Sequence, residues 1–349
     1  MKPITVIVTA SGAPGGPSII QSLRRVDERS IRIIATDIRK DASGLYLADA
    51  SYIVPMGTDP SYAKELLKIA VHENADAVLP LSSMELQNLS QANDEFAEKG
   101  IKVLVSDPSP IQTALNKFKT YTFLKGKDVK EVIPKFFLIK SCEGLEKASH
   151  NLGFPNKPFV IKPMEGKGKR GFRIITTEPL RFSNLMEEKP DSSTMRYREF
   201  AEIVREAKKI PPFLAMEYLA GNEYTVDALC KDGRPIVTVP RLSEKTTLGI
   251  STTGCTEHNE KLIEITEKIV KAFGFEYLIN AQFKFDENDE PKLLEINPRI
   301  AGTICLTVES GVNLPYLALK VALGEKIEQQ NVKWGTKIIR YWDHVVLHE

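Results

Sequence analysis

The sequence has no apolar run of membrane-spanning length, no Cys-x-x-Cys pair and no excess of either charge. Each absence removes a class of protein. A bilayer-crossing helix needs about 20 consecutive apolar residues, and none are present. Four cysteines in 349 residues, at positions 142, 230, 255 and 305, have neither the density of a disulfide framework nor the spacing of a zinc site. They read as core thiols in a reducing compartment. Lys plus Arg number 47 against 46 Asp plus Glu, so no global field draws in a polyanion or an anionic membrane. The five histidines are scattered and offer no nucleophile-base pair. The β-branched run at 4–8 is too brief for a secretory leader. The expectation is a cytoplasmic protein of small-molecule chemistry, with neither nucleic acid nor membrane as partner and with homodimer formation left open.

What is present is 42% apolar and 27% charged, an ordinary globular composition over a length that suits two or three units. Short β-branched runs at 4–9, 31–37, 77–81 and 103–106 alternate with amphipathic stretches at 17–26, 61–72 and 84–99. That is β-α-β-α, a parallel sheet covered by helices. Asp107-Pro108-Ser109-Pro110 ends the pattern, and a helix over 111–125 reads as a connector. Hairpin texture follows, with strands at 159–162 and 172–175 in a small antiparallel lobe. Residues 178–212 form a charged insertion with a helix over 198–209. A third unit opens at Phe213, with strands at 213–218 and 223–230, and the Asp232-Gly233 pair turns the chain back into 235–239. A helix over 257–273 precedes strands at 278–285 and 292–297. The units expected are 1–110, 111–212 and 213–349.

The most informative chemistry lies in the last two strands. A regular hairpin centred on Asn288-Asp289 sets Asn280 opposite Asn297, Gln282 opposite Glu295 and Phe285 opposite Lys292. With a side-chain period of two, Asn280, Gln282, Glu295 and Asn297 share a polar face, while Ala281, Phe283, Phe285, Leu294 and Ile296 point inward. A carboxylate between amide oxygens on a rigid sheet suits Mg²⁺, with Mn²⁺ as a substitute. Arg299, just beyond, is placed to neutralise a transferring phosphoryl group. The plain alternative is a polar strand face meeting water. Upstream, Lys162 closes a strand, and Glu165-Gly166-Lys167-Gly168-Lys169-Arg170-Gly171 forms a glycine- and cation-rich loop fit to cover phosphates, or an ordinary solvated hairpin tip. Near 217–219 a strand end with Glu217, Tyr218 and Leu219 could hold adenine, with Glu223 on the ribose.

Taken in order, Asn116-Lys117, the 158–163 strand, the Gly/Lys loop, Glu217-Tyr218-Leu219 with Glu223, Asn280-Ala281-Gln282-Phe283 and Leu294-Glu295-Ile296-Asn297-Pro298-Arg299 resemble the ATP-grasp superfamily, in its carbamoyl-phosphate-synthase-like branch. The resemblance covers residues 116–303. It implies an ATP-grasp fold, α/β and α+β, with an N-terminal Rossmann-like domain, a small lid lobe and a C-terminal antiparallel-sheet lobe. It also implies that Lys117 and Lys162 touch ATP phosphates, that Gly166, Gly168, Lys169, Arg170 and Gly171 lid them, and that Glu217, Tyr218 and Leu219 contact adenine. Glu223 would bind ribose, Gln282, Glu295 and Asn297 would carry magnesium, and Arg299 and Lys162 would serve the phosphoryl transfer. Family members activate a carboxylate as an acyl phosphate for attack by an amine or similar nucleophile. Gln282 stands where many relatives have a carboxylate, and the lid loop is more basic than usual.

For the acid and its acceptor, candidates are Gly12, Glu85, Arg241, Thr252 and Gly302. Glu85 resembles a glutamate that recurs near the substrate in this family, and a first-turn helix carboxylate is the competing reading. The glycine-rich turn 11–18 is either a tight strand-to-helix turn or part of the substrate site. It lacks the G-x-G opening of a dinucleotide fingerprint, and Pro14 and Pro17 remove amide donors, which disfavours a nicotinamide-dependent oxidoreductase. A catalytically silent nucleotide-binding module is the third option. Arg241 and the polar run 249–254 either line an acceptor pocket or form an exposed loop.

Overall fold

The computed structural model describes residues 1–165, 170–179, 182–187, 193–247 and 250–347. Its first sheet takes strands β1 (Ile4–Val8), β2 (Ile31–Asp37), β3 (Ala50–Ile53), β4 (Ala77–Leu79) and β5 (Lys102–Val103) in the order β3-β2-β1-β4-β5, all parallel. The order reverses at β1, so a crevice opens at the carboxyl ends of β1 and β4. The residues of β1 and β2 are apolar on both faces, as a sheet covered on both sides requires.

The expected connector helix is two helices, Pro108–Ala114 and Lys117–Leu124. Asn116 leaves helical geometry (φ −118°, ψ 110°), and its side chain caps the second helix by accepting from the Lys119 N–H. Lys117 thereby starts a helix of its own.

The second sheet runs β6 (Phe136–Ile139), β10 (Phe213–Glu217), β7 (Phe159–Pro163), β8 (Arg173–Thr176), β9 (Thr194–Arg196) in space. Two expectations fail here. Phe213 does not open the third unit, because β10 lies between β6 and β7 and pairs antiparallel with both. The lobe is also mixed, since β8 and β9 run parallel. The insertion helix is Tyr197–Glu206, and it buries Phe200 and Val204 against this sheet.

The third sheet orders β15 (Pro291–Asn297), β14 (Tyr277–Phe285), β11 (Glu223–Lys231), β12 (Arg234–Thr247), β13 (Ile250–Thr256) and β16 (Lys337–Ile339), antiparallel throughout. Asp232 and Gly233 turn β11 into β12 with φ of 53° and 66°, the mirror-image turn that Asp-Gly favours. Residues 250–254, for which an exposed loop was one of two expectations, belong to β13, because the long β12 supplies a partner for them. Helix Glu260–Phe273 covers one face. On the other side Ile300, Ile304 and helix Leu314–Ala322 join the third sheet to the parallel one in a single apolar cluster. Each fully buried Leu or Ile of that cluster stabilises the junction by about 1.5–3 kcal/mol.

Candidate active site

The hairpin β14–β15 has the expected register at its open end, with Asn280 facing Asn297 and Gln282 facing Glu295. Beyond Gln282 a bulge shifts it. Phe283 faces Leu293 and Phe285 faces Pro291, so Leu293, not Leu294, enters the core, and Phe285 does not meet Lys292. Beside the bulge the buried Tyr121 hydroxyl donates to the Leu294 carbonyl (2.7 Å), with the Leu293 carbonyl sharing the same proton at 3.2 Å. Tyr121 was not among the sequence candidates. Its only signal is one helical turn's distance from Lys117.

Lys117 and Tyr121 lie on the same helix face, so one helix holds the bulge and places a cation on the strand beyond it. Lys117 Nζ is 3.0 Å from Glu295 Oε2, and Asn297 Nδ2 donates to Glu295 Oε1 at 2.9 Å. Asn116 Nδ2 donates to Glu165 Oε1 (2.8 Å), and the Lys117 N–H donates to the Met164 carbonyl (3.0 Å). Two peptide-scale ties therefore fix the start of the Gly/Lys loop beside Glu295. A cleft opens there, lined by Ser83, Lys117, Glu165, Glu295 and Asn297. Arg299 reaches it from the strand end, donating from Nε to Ser83 Oγ (3.1 Å) and from Nη1 to the Ile300 carbonyl (2.6 Å). The Arg299 carbonyl is itself held by the Asn280 side-chain amide at 3.0 Å.

Charge in the cleft is unbalanced toward the positive. Burial lowers the Lys162 ammonium to about 8; Glu295 works against this and Lys117 adds to it. Burial likewise lowers Arg299, against the attraction of Glu295, Glu85 and Asp227. Burial raises the Glu295 carboxyl, yet Lys117, Asn297 and Lys162 together hold it below the ordinary carboxylate value. Three cations thus converge on the Glu295 carboxylate, the electrostatics of a site that awaits anions. Lys162 also lies 5.7 Å from the centre of the Phe172 ring.

The donor set Gln282, Glu295 and Asn297 is all oxygen-capable and suits a hard cation delivered with phosphates. Among the described residues no group of three or more His, Cys, Asp or Glu offers a stronger metal site. Asn297 presents its amide nitrogen to Glu295, so ligation would need its amide oxygen turned inward.

Other candidates fall into two groups. Glu217 accepts the Lys135 N–H at 2.8 Å through its side chain, Tyr218 is half exposed beneath the Lys284 ammonium, and Leu219 is buried. Glu223 pairs across the ladder with Lys284. Of the lid loop, Arg170 and Gly171 are described, and Gly171 takes a positive φ of 74°; Gly166, Lys167, Gly168 and Lys169 lie outside the described residues.

The substrate candidates are mostly committed to the fold. Glu85 Oε1 accepts from Thr9 Oγ1 (2.7 Å) and from the amides of Leu81 (3.0 Å) and Ser82 (2.8 Å), while Oε2 accepts from the Tyr62 hydroxyl. Burial raises its carboxyl. It is not the first-turn carboxylate of a helix, since it forms the N-cap position without a capping bond. Arg241 is buried, paired to both oxygens of Asp227 (2.6 and 2.9 Å) and donating to Thr303. Both residues spend most of their polar groups on bracing loops, and Glu85 also lines a pocket with Gly12. Thr252 lies on β13 and donates to the Lys245 carbonyl. The Gly12 amide is taken by Asp37 Oδ2 at 2.8 Å, which also occupies the acidic group a dinucleotide ribose would need. Gly15 packs so closely on Gly302 that a Cβ on Gly15 would come within 2.6 Å of the Gly302 backbone. A second pocket, lined by Gly12, Asp37, Met56, Tyr62 and Met84, adjoins the cleft through Met84.

The fold is that of ATP-grasp structures. Residues 209–343 match the family model described as ATP-grasp in the biosynthetic pathway with Ter operon, and residues 7–104 match the PylC-like N-terminal domain, so the chain carries an ATP-grasp domain behind a PylC-like one. It is 25% identical over 316 residues to a carbamoyl-phosphate synthase of Methanobrevibacter smithii, covering 86% of this chain and 77% of that one. Against the carbamoyl phosphate synthase large chain of Caldanaerobacter subterraneus it is 28% identical over 268 residues, 71% of this chain and 22% of that. The chain thus spans about a fifth of that large chain's length. Among solved structures, biotin carboxylase from Campylobacter jejuni superposes with a TM-score of 0.68 at 18% identity (95% of this chain, 74% of that). N5-carboxyaminoimidazole synthetase from Staphylococcus aureus gives 0.65 at 15% (93% and 78%). No helix among the described residues is long and apolar enough to cross a membrane.

Proposed function

We propose that the protein is an ATP-dependent ligase that activates a small carboxylic acid as an acyl phosphate, releases ADP, and passes the acyl group to an amine or similar nucleophile. The observation that carries this is the Glu295 carboxylate set among Lys117, Lys162 and Arg299 beside one cleft. Phosphoryl transfer between two anions is limited by repulsion and alignment more than by proton transfer, and three cations at one locus address both.

In this mechanism Lys117 and Lys162 take the polyphosphate oxygens. Arg299, fixed by Ser83 and by its own carbonyl's bond to Asn280, holds the acid's carboxylate against the γ-phosphoryl group. The acid oxygen forms a bond to phosphorus as the bond to the ADP oxygen breaks. The nucleophile then attacks the acyl carbon and phosphate leaves. Gln282, Glu295 and Asn297 would hold Mg²⁺ or Mn²⁺, which when bound neutralises the phosphate charge. Residues 165–172 serve as the lid, and the pocket beyond Met84 receives the acceptor. Units 1–110, 111–212 and 213–349 fit these roles once β10 is given to the lid lobe.

Incubating the protein with ATP, Mg²⁺, hydroxylamine and a panel of small acids tests the reading. One acid should yield a hydroxamate with ADP and phosphate. AMP with pyrophosphate, a stable phosphorylated product, or nicotinamide-dependent turnover would overturn it. ATP binding without stimulated hydrolysis by any acid would favour a silent nucleotide-binding module.

A further inference from the structure

Two cavities of this molecule lie side by side, and their charges are opposite. The cleft of the candidate active site has Lys117 in its wall and Lys162 and Arg299 beside it. The pocket that adjoins it through Met84, about 220 Å³ in volume, is lined by three charged residues, Asp37, Glu85 and Arg39. Arg39 is the exposed one, with 59% of its side chain open to solvent and its guanidinium 3.6 Å from Asp41. Asp37 and Glu85 are buried. The enclosed charged residues of this pocket are therefore both acidic.

The two acids differ in what they have left to offer. Glu85 accepts four hydrogen bonds, from Thr9, Tyr62 and the amides of Leu81 and Ser82, which use up its lone pairs. Asp37, at the end of β2, accepts two: the Gly12 N–H at Oδ2 (2.8 Å) and the Arg39 N–H at Oδ1 (3.0 Å). Those amides fix the carboxylate, and each of its oxygens keeps a lone pair. Among the described residues no cation pairs with Asp37, although only 7% of it is exposed. A buried carboxylate without a counter-ion is costly and calls for one. Much of the remaining wall is apolar. Val54 is buried, while Ile38 and Met56 are half exposed and leave apolar surface open to water at the pocket.

A ligand that meets these demands has a cationic end and an apolar body. A protonated amine is a compact charge with up to three donors, so it can engage both Asp37 oxygens at once. A hydroxyl brings one donor and no charge, and an anion is repelled. We propose that this pocket binds the acceptor through an ammonium group held on Asp37, with its apolar body against Val54, Met56 and Met84. The nucleophile then lies at the Met84 end, next to the cleft, so the acceptor has one end that reacts and a second, charged end that is read. The opposite polarity of the two cavities sorts the substrates, the acid toward the cations and the acceptor toward Asp37. This deepens the ligase reading and rests on it for the statement that the occupant is the acceptor.

The test uses the full chain without nucleotide and three probes that share one aliphatic body, n-butylammonium, n-butanol and butyrate, at neutral pH and constant ionic strength. The readout is the NMR shift of the Gly12 and Arg39 amides, which are bonded to Asp37 and report on it directly. n-Butylammonium should shift both saturably, with an affinity about tenfold or more above that of n-butanol, and butyrate should not bind. Asp37→Asn removes the charge and should erase the preference for the amine over the alcohol. That variant also alters two backbone contacts, so Met56→Lys supplies an independent arm. It leaves Asp37 and its amides in place, tethers an ammonium at a half-exposed position of the wall, and should weaken n-butylammonium about tenfold. Equal affinity for amine and alcohol in the unaltered protein, or a preference that survives undiminished in both D37N and M56K, overturns the proposal. Absence of acid-stimulated ADP release, with the amine preference intact, would instead refute the ligase reading and leave the cation site standing.

Discussion

Two glutamates in this molecule, Glu85 buried and Glu295 partly exposed, teach opposite lessons. Glu295 lines the cleft and Glu85 the pocket that adjoins it through Met84, and Ser83, which holds Arg299, is two residues from Glu85. Glu85 is surrounded by neutral donors, two hydroxyls and two amides, which consume its oxygens. Glu295 is surrounded by charge that it only partly compensates. What marks a carboxylate as functional is therefore not burial. It is whether its neighbours remain unsatisfied when the protein is empty.

The contrast predicts different outcomes for one substitution. Glu295→Gln keeps shape but removes the negative charge that pairs with Lys117 and acts on Lys162 and Arg299, so turnover measured as acid-stimulated ADP release should fall by about 10²–10³. Retention of magnesium-dependent turnover would erase the distinction. Next comes Lys162→Met, for which an ATP-affinity loss of about 10² is expected, together with higher thermal stability at pH 7. The sign follows from the depressed ammonium. A lysine lowered to about 8 destabilises the empty protein fully below that pH and not at all above its ordinary value. Phosphates favour the charged form, so ATP binding should take up a proton above pH 8 and weaken as the pH rises. Calorimetry in buffers of different ionisation enthalpy reads that proton, and it should be absent in K162M.

A smaller effect is expected from Tyr121→Phe. The ring packing on Phe136 is kept, but the bulge carbonyls lose their donor, and groups that orient ligands are typically worth about tenfold. The half-saturating Mg²⁺ concentration should rise by that factor, with excess Mg²⁺ restoring turnover. The smallest effect is reserved for Glu85→Gln. Its amide oxygen can keep the three donors on Oε1, and its nitrogen can donate to the Tyr62 hydroxyl, so turnover should change by less than about twofold. Glu85→Ala strands those donors and should cost about 3 kcal/mol or more in urea unfolding. If E85Q proved as inactive as E295Q, Glu85 would have to be returned to the substrate site.

The sequence made local chemistry legible and non-local pairing opaque. The open end of the β14–β15 hairpin could be read because its partners are neighbours in the chain and the side-chain period is two. Its bulge could not, because the hydroxyl that satisfies it comes from Tyr121, more than 170 residues away. Phe213–Glu217 looked like the start of a new unit for the same reason. Nothing near it in sequence announces that β6 and β7 flank it. Arg241 and Glu85 read from the sequence as candidate substrate residues, but whether a polar group is spent on the fold depends on Asp227, Thr303, Thr9 and Tyr62, contacts that spacing does not encode.

The contact between Gly15 and Gly302 sets an asymmetric rule for diversifying this protein. A side chain added at Gly15 would collide with the Gly302 backbone at 2.6 Å, whereas one added at Gly302 meets nothing nearer than the Gly15 nitrogen at 3.8 Å. In a saturation library the first position should survive only as glycine, while the second should accept alanine and serine. Position 302 is therefore the place from which a laboratory could reshape the wall between the two domains without separating them.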